Sequence, residues 1–289
     1  MIERLFVEER PGDGAPIVFL HGLGATHRYW HTGLMDMDLT QPLVMPDLLG
    51  FGDSPKPWCR YTLERHLAPI AAALAPYSGA TLVGHSMGAA LALAHAARHP
   101  DTVRAVVLLS LPYFGSEPIA YRWFRRHPTG WLFTNMAATA LACMVTRRIA
   151  GRLLPRLLPD LPREIAEDLV KHNFFSSTTS LWEVLYRHEY RVDADVLAGR
   201  VPVYCLHGTA DSTAPADRVR LLAADRPNWT VELLPGVGHH PWLDRPQDCR
   251  ALLMRALGGA EPHRIGPDAT AAGEATSSFS EATERPLGL

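Results

Sequence analysis

Cysteine is scarce in this chain of 289 residues: Cys59, Cys143, Cys205 and Cys249 are its only four. They lie far apart and form no C-x-x-C pair. That spacing argues against a zinc site or a disulfide scaffold and fits a reducing compartment. Lysine is scarcer still, with Lys56 and Lys171 alone, so arginine supplies almost all of the positive charge. With 28 Lys+Arg against 30 Asp+Glu the formal net charge is -2, and no general basic surface exists for nucleic acid. Residues 1–10 have no apolar core of the kind a secretory leader carries. The longest apolar stretch, Trp131 to Val145, is shorter than the roughly 20 residues a spanning helix needs. It is also interrupted by Asn135. These absences lead us to expect a soluble, cytoplasmic protein with no stable membrane insertion. No grouping of His, Cys and carboxylates has the spacing of metal ligands, so neither a metal nor a cofactor is expected.

What is present is ordinary for a globular chain: 47% hydrophobic and 20% charged residues. The length suits one large α/β domain, or a core with a second unit inserted. Short apolar runs bounded by turn residues read as buried strands at 17–20, 43–45, 81–83, 103–109, 201–206 and 230–234, and residues 2–8 read as a weaker edge strand. Helical spacing separates them at 62–75, where Pro69 should introduce a kink, and at 89–98, 215–226 and 244–257. In the last of these, Asp244 is expected to cap and Pro246 to open the helix. Strands alternating with helices imply a mostly parallel sheet covered on both faces.

From Pro112 the texture changes. Residues 112–196 lack Val- and Ile-rich runs and read as helices at about 118–127, 131–151, 161–173 and 179–190. The organisation expected is a core of residues 1–111 and 197–258, a helical cap of 112–196, and a tail of 259–289. The tail is too poor in apolar residues to order itself. Between Tyr121 and Arg156 stand seven arginines and no acidic residue, interleaved with Trp123, Phe124, Trp131 and Phe133. Two readings apply: an amphipathic surface facing lipid, or a cap whose apolar side roofs a pocket while its arginines are solvated. The nearly balanced charge of the whole 112–196 region favours the second.

The chemistry centres on Gly84-His85-Ser86-Met87-Gly88, a Gly-x-Ser-x-Gly pattern between an apparent strand and an apparent helix. Such a turn exposes the serine and crowds its neighbours, which glycine tolerates because it has no Cβ. Free N–H groups at the helix start lie beside the serine. The same five residues also occur as a plain glycine-flanked loop, so the rest of the chain has to decide. Asp211 follows a later strand and His239 follows the last. Parallel strands end on one edge, so Ser86, Asp211 and His239 should converge there. A serine needs a base to take its proton, imidazole suits that task, and a carboxylate fixes the imidazole tautomer.

With these residues in place, the chain resembles a capped α/β-hydrolase. The matching landmarks are His21-Gly22-Leu23-Gly24, Asp47-Leu48-Leu49-Gly50-Phe51-Gly52-Asp53-Ser54, the Ser86 elbow, His207-Gly208-Thr209-Ala210-Asp211 and Gly236-Val237-Gly238-His239, in order across 17–257. The resemblance implies Ser86 as nucleophile, His239 as general base and acid, Asp211 as its orienting partner, and the backbone N–H groups of Leu23 and Met87 as oxyanion hole. His239 is preferred over its neighbour His240 on the family's spacing. His85 is expected to shape the pocket, with Trp123, Phe124, Trp131 and Phe133 from the cap as further candidates. Asp47, Asp53, His21 and His207 are expected to hold loops.

The serine excludes the subclasses that use an aspartate nucleophile, such as haloalkane dehalogenases. The substrate expected is a hydrophobic ester, thioester or lactone. The alternatives are carbon–carbon cleavage of a diketone-like molecule, although His85 stands where those enzymes commonly have Asn, and biosynthetic elimination, cyclisation or acyl transfer. A non-catalytic receptor ranks last because the triad is intact.

Overall fold

The computed structural model describes residues 2–34, 37–147, 156 and 161–258. Seven strands form one sheet in the order β1-β3-β2-β4-β5-β6-β7. They are β1 (Val7–Arg10), β2 (Ile17–Leu20), β3 (Leu43–Pro46), β4 (Ala80–His85), β5 (Val103–Leu109), β6 (Val203–Gly208) and β7 (Trp229–Leu234). Only β1 runs antiparallel, against β3. β2, β3 and β4 are buried along their whole length, which is why they read as unbroken apolar runs rather than alternating ones.

Each face of the sheet has its own core. On one side the helix Leu63–Leu74 buries Leu63, Leu67, Ile70 and Leu74 at helical spacing, beside the Ala- and Leu-rich helix Met87–Arg98, buried from Met87 to Ala96. Thr62 caps the first of these by accepting from the Arg65 N–H, and Pro69 lies inside it without ending it. On the other side Phe19, Trp30 and Trp242 pack edge to face, and the Trp242 indole N–H donates to the Trp30 carbonyl at 3.2 Å. The helix Pro246–Gly258 closes this face with Leu252 and Leu253 buried. Among the described residues no helix is long and apolar enough to cross a membrane.

Several expected boundaries move. The edge strand covers residues 7–10 rather than 2–8, because its ladder is set by pairing with residues 43–46 and not by its own weak alternation. Asp244 ends a short turn, Pro241–Asp244, instead of capping the following helix, which starts at Pro246. The helix expected over 131–151 is broken at Asn135, whose extended backbone and side-chain bond to the Ala138 N–H start a new helix, Met136–Val145. The helix expected over 161–173 shrinks to Arg163–Asp168, and 179–190 resolves into Phe174–Ser180 running on to Tyr186. A further helix, Tyr190–Leu197, leads back to the sheet. The tail 259–289 lies outside the described residues.

Backbones pack closely where β4 hands over to the next helix. A Cβ on Gly88 would overlap the Leu20 and His21 carbonyl oxygens, whereas a Cβ on Gly238 would meet nothing within 4 Å. Gly88→Ala is therefore expected to cost about 1–3 kcal/mol of stability by forcing backbones apart. Gly238→Ala should stay within about 0.5 kcal/mol. Urea unfolding of the two variants checks the contrast, and equal midpoints would contradict it.

Candidate active site

Ser86 sits between β4 and the helix Met87–Arg98 with φ 52° and ψ -117°. Such a left-handed conformation costs a non-glycine residue about 1–3 kcal/mol and persists only where surroundings enforce it. Here the Ser86 N–H donates to the Leu109 carbonyl of β5 at 2.9 Å, and its own carbonyl accepts from Ala89 at 2.9 Å. Gly84 and Gly88 face each other across the turn so closely that a Cβ on Gly84 would strike the Gly88 backbone. The serine is thereby held at the carboxyl edge of the sheet.

Asp211 and His239 reach the same edge from the ends of β6 and β7. The Ser86 hydroxyl lies 3.0 Å from His239 Nε2, and His239 Nδ1 lies 2.7 Å from Asp211 Oδ2. A carboxylate only accepts, so Nδ1 carries the proton and Nε2 offers its lone pair to the serine O–H. Asp211 Oδ1 accepts from the N–H groups of Thr213 and Ala214, at 2.8 and 2.9 Å. His207 Nε2 is 3.2 Å from Oδ2. Burial pushes the Asp211 carboxyl up, but hydrogen bonds from His207 and His239 outweigh it, and the group is held far below the usual carboxylate range. It is therefore an anion, and the geometry allows it to stabilise a positive charge on His239.

Three more aromatic groups frame this line. His85 stacks on Tyr29, with ring centroids 4.7 Å apart, and its Nε2 donates to the His239 carbonyl at 2.8 Å. Burial, and then the neighbouring His239 and His240, keep His85 well below its ordinary value, so it is neutral. His240 is pushed down to about 4, by burial first and His239 second, and its Nδ1 lies 3.4 Å from the Tyr29 hydroxyl. His239, unlike His240, is the ring that reaches both Ser86 and Asp211.

A cavity of about 610 Å³ opens above Ser86. Gly22, Leu23, His85 and His239 line its floor, and Phe124, Phe133, Leu161, Ile165, Leu169, Leu181 and Leu185 from the segment between β5 and β6 form its walls. Leu23 stands in the loop after β2, and Met87 is the first residue of the helix that follows Ser86, where N–H groups have no intrahelical partner.

Two expected lining residues point elsewhere. Trp123 precedes Phe124 on one helix, where successive side chains diverge by about 100°. Phe124 faces the cavity while the Trp123 indole donates to the Ser212 carbonyl at 2.9 Å. Trp131 is 55% exposed and does not line the cavity, while Phe133, two residues on and itself partly exposed, does. The loop assignments agree with the geometry. Asp47 accepts from the His27 and Asp53 N–H groups, both at 2.7 Å, and His21 Nε2 accepts from the Leu48 N–H at 2.9 Å. Sequence reasoning missed the direct contact of His207 with Asp211, for which their spacing of four was the available signal. It also missed Tyr29, which nothing in the sequence pairs with His85.

The model of the alpha/beta hydrolase fold matches residues 15–246. An uncharacterized protein of Mycobacterium tuberculosis is 26% identical over 272 residues, covering 87% of this chain and 77% of that protein. A probable lysophospholipase of Arabidopsis thaliana, BODYGUARD 1, is 34% identical over 273 residues, covering 82% of this chain and 58% of its own length. Among solved structures, a thermophilic esterase from Thermogutta terrifontis superposes with a TM-score of 0.64 at 21% identity, covering 88% of this chain and 93% of the esterase.

The neutral histidines have a consequence for stability. A free imidazole takes a proton near 6.5, while His240 in the folded chain resists until about 4. The unfolded state therefore binds more protons across that window, and the contribution is complete above about pH 6.5 and lost as pH falls toward 4. The urea midpoint should decline over this range, and His240→Asn should decline less, by the uptake of about one proton. Identical profiles for the two proteins would contradict the assignment.

Proposed function

The chain belongs to the α/β-hydrolase family, and from that premise we propose that it is a serine hydrolase of hydrophobic acyl esters. The observation that carries this reading is the unbroken line Asp211–His239–Ser86 at the base of an apolar cavity. Ser86 Oγ attacks the substrate carbonyl carbon as its proton passes to His239 Nε2. The oxygen that becomes negative is met by the backbone N–H groups of Leu23 and Met87, and loss of one donor of this type costs about 10² to 10³ in turnover. His239 then gives its proton to the leaving alkoxide as the carbon–oxygen bond breaks. A water molecule repeats the sequence on the acyl-enzyme, releasing the acid and restoring the Ser86 hydroxyl.

Asp211 supports the reading twice, by fixing the His239 tautomer and by holding the imidazolium that forms. The cavity walls are mostly aliphatic and aromatic, with His127, Thr129, Ser212 and Thr213 as polar exceptions. No carboxylate, arginine or lysine is among the described lining residues, which suits an acyl chain better than a charged group. The probable lysophospholipase activity named for the Arabidopsis relatives concerns the same class of bond, an ester of a fatty acyl chain. Thioesters and lactones present the same carbonyl to Ser86 and fall within the proposal.

A fluorophosphonate probe tests the nucleophile. Wild type should label and Ser86→Ala should not, with turnover of p-nitrophenyl esters falling by at least about a thousandfold. Activity should rise from short to medium acyl chains as the walls become filled. Turnover of a ring-fission diketone with none of the esters would replace this reading by carbon–carbon hydrolysis, and failure of the wild type to label would remove Ser86 as nucleophile.

A further inference from the structure

A second cluster of polar groups lies outside the cavity. Glu8 belongs to the edge strand β1, where it pairs with Met45 just before Asp47. His27 and His31 are four residues apart on the helical turns that follow the Leu23 loop, so they share one face. His31 Nε2 lies 3.1 and 3.0 Å from the two Glu8 oxygens, and His27 Nε2 lies 3.4 Å from Glu8 Oε2. One ligand atom from each of the three residues falls within 4.8 Å of the others. None of the three lines the cavity, and the proposed hydrolysis uses none of them.

We propose that Glu8, His27 and His31 form a binding site for a divalent transition-metal ion of the zinc type. Two imidazoles and a carboxylate are a donor set that zinc accepts, leaving a fourth position for water. Tetrahedral ligands at about 2.0–2.1 Å from a zinc ion stand about 3.4 Å apart, close to the His31–Glu8 and His27–Glu8 separations.

The surroundings of His27 add a second argument. Its Nδ1 lies 2.9 Å from Asp47 Oδ1, an oxygen that also accepts the His27 backbone N–H at 2.7 Å. Asp47 is fully buried, so the ring is held with Nδ1–H toward it and Nε2 toward Glu8. A histidine whose far nitrogen is fixed by a carboxylate is the arrangement that orients a metal ligand.

The site is reachable, since the Glu8 and His31 side chains are each 28% exposed. Arg10 approaches Glu8 from the other side, with its Nη2 3.5 Å from Oε1, and leaves Oε2 toward both imidazoles. An ion here would tie the edge strand to the chain segment that leads from Leu23 to Tyr29. It would brace the cavity floor without entering the reaction.

The test uses the full chain, stripped with a chelator and titrated with zinc chloride in a calorimeter, with thermal unfolding followed in parallel. One equivalent should bind and raise the melting temperature. His31→Ala and Glu8→Gln should each weaken that binding by about tenfold or more and remove the thermal shift. Both should keep wild-type ester turnover without zinc, which shows that they fold. Absence of saturable binding, or equal affinity in wild type and both variants, overturns the site: the gap then holds only a proton, or zinc is taken by the His85, His239 and His240 group. Cobalt(II) in place of zinc gives an independent reading through the intensity of its visible bands, strong for four-coordinate binding in wild type and lost in His31→Ala.

Discussion

The reversal at Ser86 is the constraint on which the rest of the molecule depends. β4 must end, the chain must turn back as a helix, and the helix must press against β2 until Gly88 touches the Leu20 carbonyl. That contact admits no side chain, and it draws the loop after β2, with Leu23, to within reach of the serine. The left-handed backbone at Ser86 is the local cost of this arrangement. It is held by a hydrogen bond to β5 and by the helix Met87–Arg98, buried from Met87 to Ala96, so the strain is carried by the core and not by the loop.

Charge at the site is arranged with similar economy. Three histidines crowd together, with His85, His239 and His240 ring centroids 5.0 to 5.3 Å apart. They could not all be protonated. Burial holds His85 and His240 neutral, and of these three rings His239 alone bridges the Asp211 carboxylate and the Ser86 hydroxyl. Asp211 is in turn kept ionised by two imidazole contacts that outweigh the cost of burying it. The proposed acid–base role of His239 rests on its being the ring that joins the carboxylate to Ser86.

Much of this was legible in the sequence, for identifiable reasons. β2, β3 and β5 are short apolar runs between turn residues, and burial on both faces makes such runs unmistakable. The convergence of Ser86, Asp211 and His239 follows from parallel strands sharing an edge, which needs no coordinates. β1 was harder to place, because Val7-Glu8-Glu9-Arg10 is half exposed and becomes a strand only through its partner. The distinction between Trp123 and Phe124 was out of reach, since composition does not say which of two adjacent aromatics a helix turns inward. Glu8, His27 and His31 do not resemble a ligand set until the antiparallel register brings Glu8 across to the helical turns.

The segment between β5 and β6 shows why the substrate is the least legible part of the molecule. The floor of the cavity is built from residues whose chemistry requires particular types: a serine, an imidazole, a glycine that admits backbone. Most of the wall requires only apolar volume, and Phe, Leu and Ile supply it interchangeably. A wall of this kind discriminates by about 1–3 kcal/mol per methylene of fit, which selects chain length and bulk but not a particular molecule. Its larger effect is on the floor, because excluding water strengthens the pull of Asp211 on a protonated His239 and of backbone N–H groups on an oxyanion. The helical segment therefore acts on the proposed chemistry through the dielectric it creates, and this action depends on its being apolar rather than on which apolar residues it uses.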